Sequence, residues 1–281
     1  MVLCTALWGF QQVAIKLTAP DVSLVMQAGI RSVIALALIL IWISFKKIHL
    51  WERDRTLWPG IAAGVLFGGE FVFIYAGLEH AAASRMVIFI YLAPIFTALG
   101  LHWAVAGEKL LPLQWLGVVL AFSGIAFAFS EGFSANSNNT WLGDLFGIIA
   151  AALWAATTVL IRATRLAGAE ATKTLFYQLA VSALLLPLAS VLMGEKGVVA
   201  LTPLALASLA YQGAIVAFAS YLAWFWLLTR YLAARLSVFS FLTPLFGVLA
   251  GVAVLGEPLT PTFAASALLV GLGIVLVNLR S

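Results

Sequence analysis

A carboxylate in the middle of an apolar run is the first group in this sequence whose chemistry needs an account. Glu70 sits in Gly68-Gly69-Glu70-Phe71-Val72-Phe73, with about a dozen apolar or small residues before it. An ionisable side chain surrounded by hydrocarbon is costly, so it marks a functional position by default. Two roles fit: a cavity-lining carboxylate that binds an ammonium group or takes up a proton, or a neutral acid bonded to a neighbouring helix. Arg31, early in the preceding apolar run, is the matching cation. It either meets a carboxylate or snorkels to the outer interface along its aliphatic stem, and its place near the end of the run favours snorkelling.

Aromatic and amide groups form the next set. Trp8 and Gln12 are four residues apart, as are Trp154 and Thr158, a spacing that puts each pair on one helical face in adjacent turns. Interfacial anchoring or packing is the plainer reading of a membrane tryptophan. The recurrence with a polar partner one turn on favours a cavity wall, and aromatic walls accept apolar and aromatic groups. Tyr91 and Phe241 each stand three residues before a proline, Pro94 and Pro244. A proline inside a helix frees a carbonyl and permits a kink, so these prolines are hinge candidates or static bends. Among Gln178, Tyr211, Gln212, Ser220, Tyr221 and Trp224 some must face the interior, since a lipid-exposed Gln is unfavourable; Gln178 and Tyr211 are selected. The candidate binding set is therefore Trp8, Gln12, Glu70, Tyr91, Trp154, Thr158, Gln178, Tyr211 and Phe241.

The elements that carry these groups follow from composition. Apolar residues make up 64% of the 281-residue chain and charged ones 9%, whereas a soluble domain carries roughly 25% charged residues to face water. The apolar runs are close to the length needed to cross about 30 Å of hydrocarbon as helices, and the short alternating segments of a membrane β-barrel are not seen. Spans are expected near 2–17, 22–45, 57–78, 84–105, 112–130, 141–162, 172–193, 203–227, 235–255 and 260–279. The only sizeable polar loops are 46–56 and 131–140. Gly60-x3-Gly64-x3-Gly68 and Gly247-x3-Gly251 suit close helix approach. No charged lead-in or cleavage site precedes the second span, so a cleaved signal is not expected.

Charge sets the orientation. The connections after even-numbered spans and the C-terminal end hold Lys46, Lys47, Arg53, Arg55, Lys109, Arg162, Arg165, Lys173, Arg230, Arg235 and Arg280. The opposite side holds Lys16, Arg85 and Lys196. The positive-inside rule then puts both termini in the cytoplasm.

The chain also repeats itself. Leu7-Trp8 through Lys16 aligns with Leu153-Trp154 through Arg162, Ala83-Ser84-Arg85 through Phe96 with Ala233-Ala234-Arg235 through Phe246, and Gly107-Glu108-Lys109-Leu110 with Gly256-Glu257-Pro258-Leu259. Shared Leu and Val would arise by chance; ordered Trp, Arg, Pro and Gly-Glu landmarks would not. Five spans per half is an odd number, so the second half (141–281) must enter from the face opposite the first (1–140). Inverted repeats of this kind build many secondary transporters.

Two five-span units, each opening on Leu-Trp and closing through a Pro-containing span, Gly-Glu and a Gly-rich span, resemble the EamA repeats of the drug/metabolite transporter superfamily. The aromatic content and the Trp8/Trp154 pairing look most similar to the YddG-type amino-acid exporters. That resemblance implies a ten-helix basket around a central cavity in a bacterial inner membrane. It also implies export of aromatic and other amino acids and metabolites by alternating access, without a nucleotide-hydrolysing domain. A drug exporter or an uptake carrier on the same scaffold is the rival, a channel a more distant one. The oligomeric state stays open between monomer and dimer.

Other chemistry is not encoded in recognisable form. The sequence has no Gly-x4-Gly-Lys-Ser/Thr phosphate loop, no His-Glu-x2-His and no Gly-x-Ser-x-Gly, so no enzyme and no cofactor is expected. Cys4 is the single cysteine, and His49, His80 and His102 stand at unrelated positions, so no metal set is expected. Glu108 and Glu257 read as loop or helix-end residues. The net charge of +4 reads as loop topology, not as a nucleic-acid surface. Asn138-Asn139-Thr140 fits the glycosylation triplet, which a bacterial protein would not use.

Overall fold

The computed structural model describes residues 1–50, 54–130, 140–256 and 261–279. Arg53, Glu257 with Pro258 and Leu259, Arg280 and the Asn138-Asn139 pair lie outside the described residues. Ten helices follow one another: α1 (Val2–Thr18), α2 (Leu24–Lys46), α3 (Leu57–Leu78), α4 in two pieces (Ala83–Ile90 and Ala93–Ala104) and α5 (Pro112–Ala128). Then come α6 (Thr140–Ala163), α7 (Ala171–Leu192), α8 in three joined pieces (Pro203–Ala210, Tyr211–Ser220, Tyr221–Leu228), α9 in three (Ala233–Val238, Phe239–Phe241, Leu242–Leu255) and α10 (Pro261–Asn278). Seven of them are long and apolar enough to cross a membrane. The other three, α1, α5 and α10, run 17, 17 and 18 residues, near the lower limit for spanning.

Polarity is inverted relative to a soluble globule. Trp103, Leu184, Leu192 and Leu268 are 70–82% exposed, while Gln27, Gln178, Gln212 and Glu108 are among the largest fully buried side chains. Lipid as the surrounding solvent accounts for both.

Helix pairing obeys an exchange of halves. α1 packs on α9, and its counterpart α6 packs on α4; α2 packs on α8 and α7 on α3; α3 packs on α6 and α8 on α1. The α2–α7 and α5–α10 pairs map onto themselves, so the pseudo-two-fold axis passes between their members. The α5–α10 seam is the tightest consequence. A Cβ on Gly117 would lie 2.7 Å from the Gly273 carbonyl oxygen, and one on Gly273 would lie 2.5 Å from that of Gly117.

Both prolines singled out above sit where a helix restarts. Pro94 occupies the first turn of the second piece of α4, after a turn at Tyr91-Leu92. Pro244 enters α9 just after the 3-10 turn Phe239–Phe241. Missing N–H groups cost nothing in a first helical turn, so the chain breaks before each proline instead of bending through it.

The counterparts α3 and α8 differ in length, running 22 and 26 residues. The N-caps Thr56 and Thr202 are 146 positions apart (202 − 56), whereas the last residues Leu78 and Leu228 are 150 apart (228 − 78). Four extra residues are taken up inside α8, where Tyr211–Ser220 winds as a π-helix. The wider winding fits more residues into a given length, and such segments recur at functional sites.

Polar ties join helices at both ends of the bundle. At the end carrying the even-numbered connections, Lys173 Nζ meets Asp54 Oδ2 at 2.6 Å and the Thr56 and Tyr177 hydroxyls are 3.1 Å apart. Glu195, at the other end, accepts from the Ser23 and Ser190 hydroxyls and from the Val25 and Met26 N–H groups. Arg85 grips Asp144 through two hydrogen bonds, the second at 2.6 Å.

Candidate functional site

A stripe of aromatics on α3 is the base of the site. Phe67, Phe71 and Tyr75 recur every four residues and so share one helical face. Their rings run in contact, Phe67–Phe71 at 5.2 Å between centroids and Phe71–Tyr75 at 6.5 Å. Phe67 also meets Tyr221 of α8 edge-on at 5.8 Å. Tyr221 and Trp224 in turn flank Trp8 of α1, each at 6.0 Å. The Trp8 indole N–H donates to Ser220 Oγ at 2.8 Å, which fixes the ring within the α1–α8 contact.

The second cluster forms where α4, α6 and α9 meet. Tyr91 lies 6.0 Å from Trp154 and 6.2 Å from Phe241, with Tyr91 and Phe241 both buried. The broken helices bring these two rings together: each sits at the break itself, immediately before its helix restarts. Three of the residues expected from the sequence, Tyr91, Trp154 and Phe241, therefore converge across the two repeats.

Glu70 is 7% exposed and Arg31 is 3% exposed. The guanidinium of Arg31 stacks over the Phe71 ring, 4.3 Å from its centroid. This overturns the snorkelling expectation: the side chain turns inward because Phe71 on α3 offers the cation an aromatic ring. No ion pair within 4 Å joins Glu70 or Arg31 to a described residue.

The remaining expected residues are less central. Gln178 is fully buried, with neither amide atom hydrogen-bonded among the described residues, and Ser182 one turn on is in the same state. Thr158 gives its hydroxyl to the carbonyl of Trp154 in its own helix, at 3.4 Å. Gln12 is exposed, on the side of α1 near Gly247. Tyr211 ties α8 to α1 by donating to the Leu7 carbonyl at 2.8 Å and packs edge-on to the exposed Phe10. Sequence reasoning missed Ser182 and the α3 stripe; the stripe's four-residue spacing could have been read from the chain.

A recess of about 640 Å³ opens at the end carrying the even-numbered connections, lined in part by Arg162, Arg230, Arg235, Phe239 and Asn278. The aromatic clusters lie apart from it, packed ring against ring. The geometry is that of an aromatic interior in which Arg31 and Glu70 are buried, with polar ties between helices at both ends.

Comparison with known proteins bears on this arrangement. The sequence model of the EamA-like transporter family matches residues 1–130 and again 141–279. An uncharacterized transporter of Archaeoglobus fulgidus is 25% identical over 88% of this chain and 84% of its own length. A probable amino-acid metabolite efflux pump of Salmonella typhimurium is 23% identical over 97% of this chain and 91% of its own. One crystal structure, 20% identical, superposes with a TM-score of 0.84 over 99% of this chain and 94% of that one, which shows a shared fold.

Proposed function

The chain belongs to the EamA-like transporter family, and we propose that it is a secondary transporter exporting amino acids, aromatic ones among them, and related small metabolites by alternating access. It is a membrane transporter and not an enzyme, with small-molecule substrates and a lipid surround. The YddG-type exporters are the subfamily this reading favours.

The observation that carries the proposal is the meeting of aromatic groups from both repeats in the interior, Trp8 with Tyr221 and Trp224, and Tyr91 with Trp154 and Phe241. Such a wall takes apolar and aromatic side chains of varied shape. The similarity to a probable amino-acid metabolite efflux pump supports the same class. Residues 1–140 and 141–281 are the two units that exchange conformation, with the breaks before Pro94 and Pro244 as hinges. Gln178, Thr158, Gln12 and Tyr211 complete the substrate path. Eleven basic residues on one side against three on the other support cytoplasmic termini in a bacterial cell membrane.

Counterflow in proteoliposomes tests the reading. Saturable exchange of labelled aromatic amino acids is expected. Absence of exchange for every amino acid, with saturable exchange of cationic drugs instead, would sink it in favour of a drug exporter. Flux that rises linearly with concentration would point to a channel.

A further inference from the structure

Arg31 and Glu70 reach their places from one end of the bundle. Arg31 is seven residues past the start of α2 (31 − 24), and Glu70 is eight before the end of α3 (78 − 70). Both ends lie on the side of the odd-numbered connections. At about 1.5 Å per residue the two Cα atoms are about 10 Å and about 12 Å below that end. They are therefore at matching depth on adjacent helices, with the Phe71 ring beneath the guanidinium.

Each side chain is more than nine-tenths buried. Neither makes a hydrogen bond or an ion pair with a described residue. The guanidinium carbon lies 4.3 Å from the Phe71 ring centroid, and neither its N–H groups nor the Glu70 carboxylate has a hydrogen-bond partner among the described residues. The repeat makes the pattern more pointed. The N-caps Ser23 and Glu170 set an offset of 147 (170 − 23), which maps Arg31 onto Gln178. The later offset of 150 maps Glu70 onto Ser220 (220 − 70). The second half thus holds a neutral amide, without a hydrogen-bond partner among the described residues, and a hydroxyl already taken by Trp8. At these four positions charge is found only in the first repeat. A structural ion pair would bring the two charges together, yet here they are kept out of contact.

We propose that Arg31 and Glu70 form a two-point clamp for the zwitterionic head of an α-amino acid, Arg31 taking the carboxylate and Glu70 the ammonium, with the side chain laid along Phe67, Phe71 and Tyr75. The planar fork of a guanidinium matches a carboxylate with two parallel hydrogen bonds. An ionised carboxylate accepts and never donates, which suits an ammonium carrying only N–H groups. A bound zwitterion neutralises both buried charges at once. A ligand lacking either charged group leaves one uncompensated, so discrimination should be steep. The clamp rests on the amino-acid reading above and narrows it to unmodified, zwitterionic substrates.

The test is counterflow of labelled phenylalanine in competition with phenethylamine, which lacks the carboxylate, and 3-phenylpropionate, which lacks the ammonium. In the unaltered protein each analogue should compete at least about tenfold less well than phenylalanine. Arg31→Gln should erase the preference over phenethylamine and keep that over phenylpropionate; Glu70→Gln should do the reverse. The double variant should be worse than either single one. A double variant that regains transport would show a structural ion pair instead and overturn the clamp. So would an unaltered protein that takes phenethylamine as well as phenylalanine. If the variants do not fold, thermal stabilisation of the unaltered protein decides: phenylalanine should raise the melting temperature, and its methyl ester and N-acetyl derivative should not. Equal shifts for all three overturn the clamp while leaving amino-acid export standing. Absence of any amino-acid exchange removes export and the clamp together.

Discussion

Arg162, in the last turn of α6, places Nη2 2.7 Å from Oε1 of Glu108, whose side chain is 1% exposed. The same carboxylate accepts from the N–H groups of Ala233 and Ala234 at the start of α9, and Arg162 also donates to the Leu228 carbonyl at the end of α8. One loop residue of the first repeat thus gathers three helices of the second. Glu108 acts as the helix-end residue its position suggested, capping a neighbour's helix instead of its own.

Removing that carboxylate leaves a guanidinium and two N–H groups without their acceptor. Glu108→Ala should cost about 3–5 kcal/mol of stability, the range for breaking a buried ion pair from one side. A melting curve in detergent that matches the unaltered protein would refute this account of the contact.

The α5–α10 seam predicts an asymmetry between glycines. Gly273→Ala puts a Cβ against backbone atoms of Gly117 and Ala121, which can yield only if the helices part. It should cost about 1–3 kcal/mol. Gly271→Ala, with nothing within 4 Å of the added carbon, should leave the melting temperature unchanged or raised. Equal effects from the two would contradict the seam geometry.

Trp8 and Ser220 should behave as one unit. Trp8→Phe keeps the ring and removes the indole N–H, and Ser220→Ala removes its acceptor; each should raise KM in counterflow by about fivefold, near 1 kcal/mol. Because both break the same bond, the double variant should be no worse than the stronger single one. Additive losses would mean that the hydrogen bond does not position the ring for transport.

Asp54 sets an acid limit on the tie between the α2–α3 loop and α7. Its hydrogen bond with Lys173, helped by the Thr56 hydroxyl and N–H, holds its carboxyl down to about 2. A carboxyl depressed in the folded state contributes stability above its unfolded value, and that contribution is lost as pH falls through the folded value. The tie should hold unchanged down to about pH 4 and weaken between there and about pH 2. Asp54→Asn should flatten that part of the melting-temperature profile; a variant retaining the full acid slope would assign it to other groups.

The span pattern was legible because lipid imposes it. Twenty-residue apolar runs have few ways to satisfy their backbone, and all ten expected helices appear with ends shifted by a few residues. Tyr91 could be paired with Phe241, and Trp8 with Trp154, in advance because the repeat makes positions equivalent; that Trp154 meets Tyr91 was not legible. The azimuth of a side chain was not legible in the same way. Arg31 near the end of an apolar run fits a snorkelling cation; what turns it inward is Phe71 on another helix, a contact no single run encodes. Gln12 likewise follows Trp8 by one turn, yet a four-residue step rotates about 40°, enough to leave it exposed. The π-helix in α8 was hidden because nothing in the residue types from Tyr211 to Ser220 distinguishes wide winding from an ordinary helix. Only the drift between repeat offsets hinted at it.

That wide-wound segment has an energetic consequence for the transport cycle. In a perfect inverted repeat the inward-open and outward-open forms are images of each other, obtained by exchanging the shapes of the two halves, and would have equal free energy. Here α8 carries four residues for which α3 has no equivalent, so the exchange cannot be exact. Under the alternating access proposed above, the empty carrier would have a preferred resting side, and substrate would supply the difference in binding energy to reach the other.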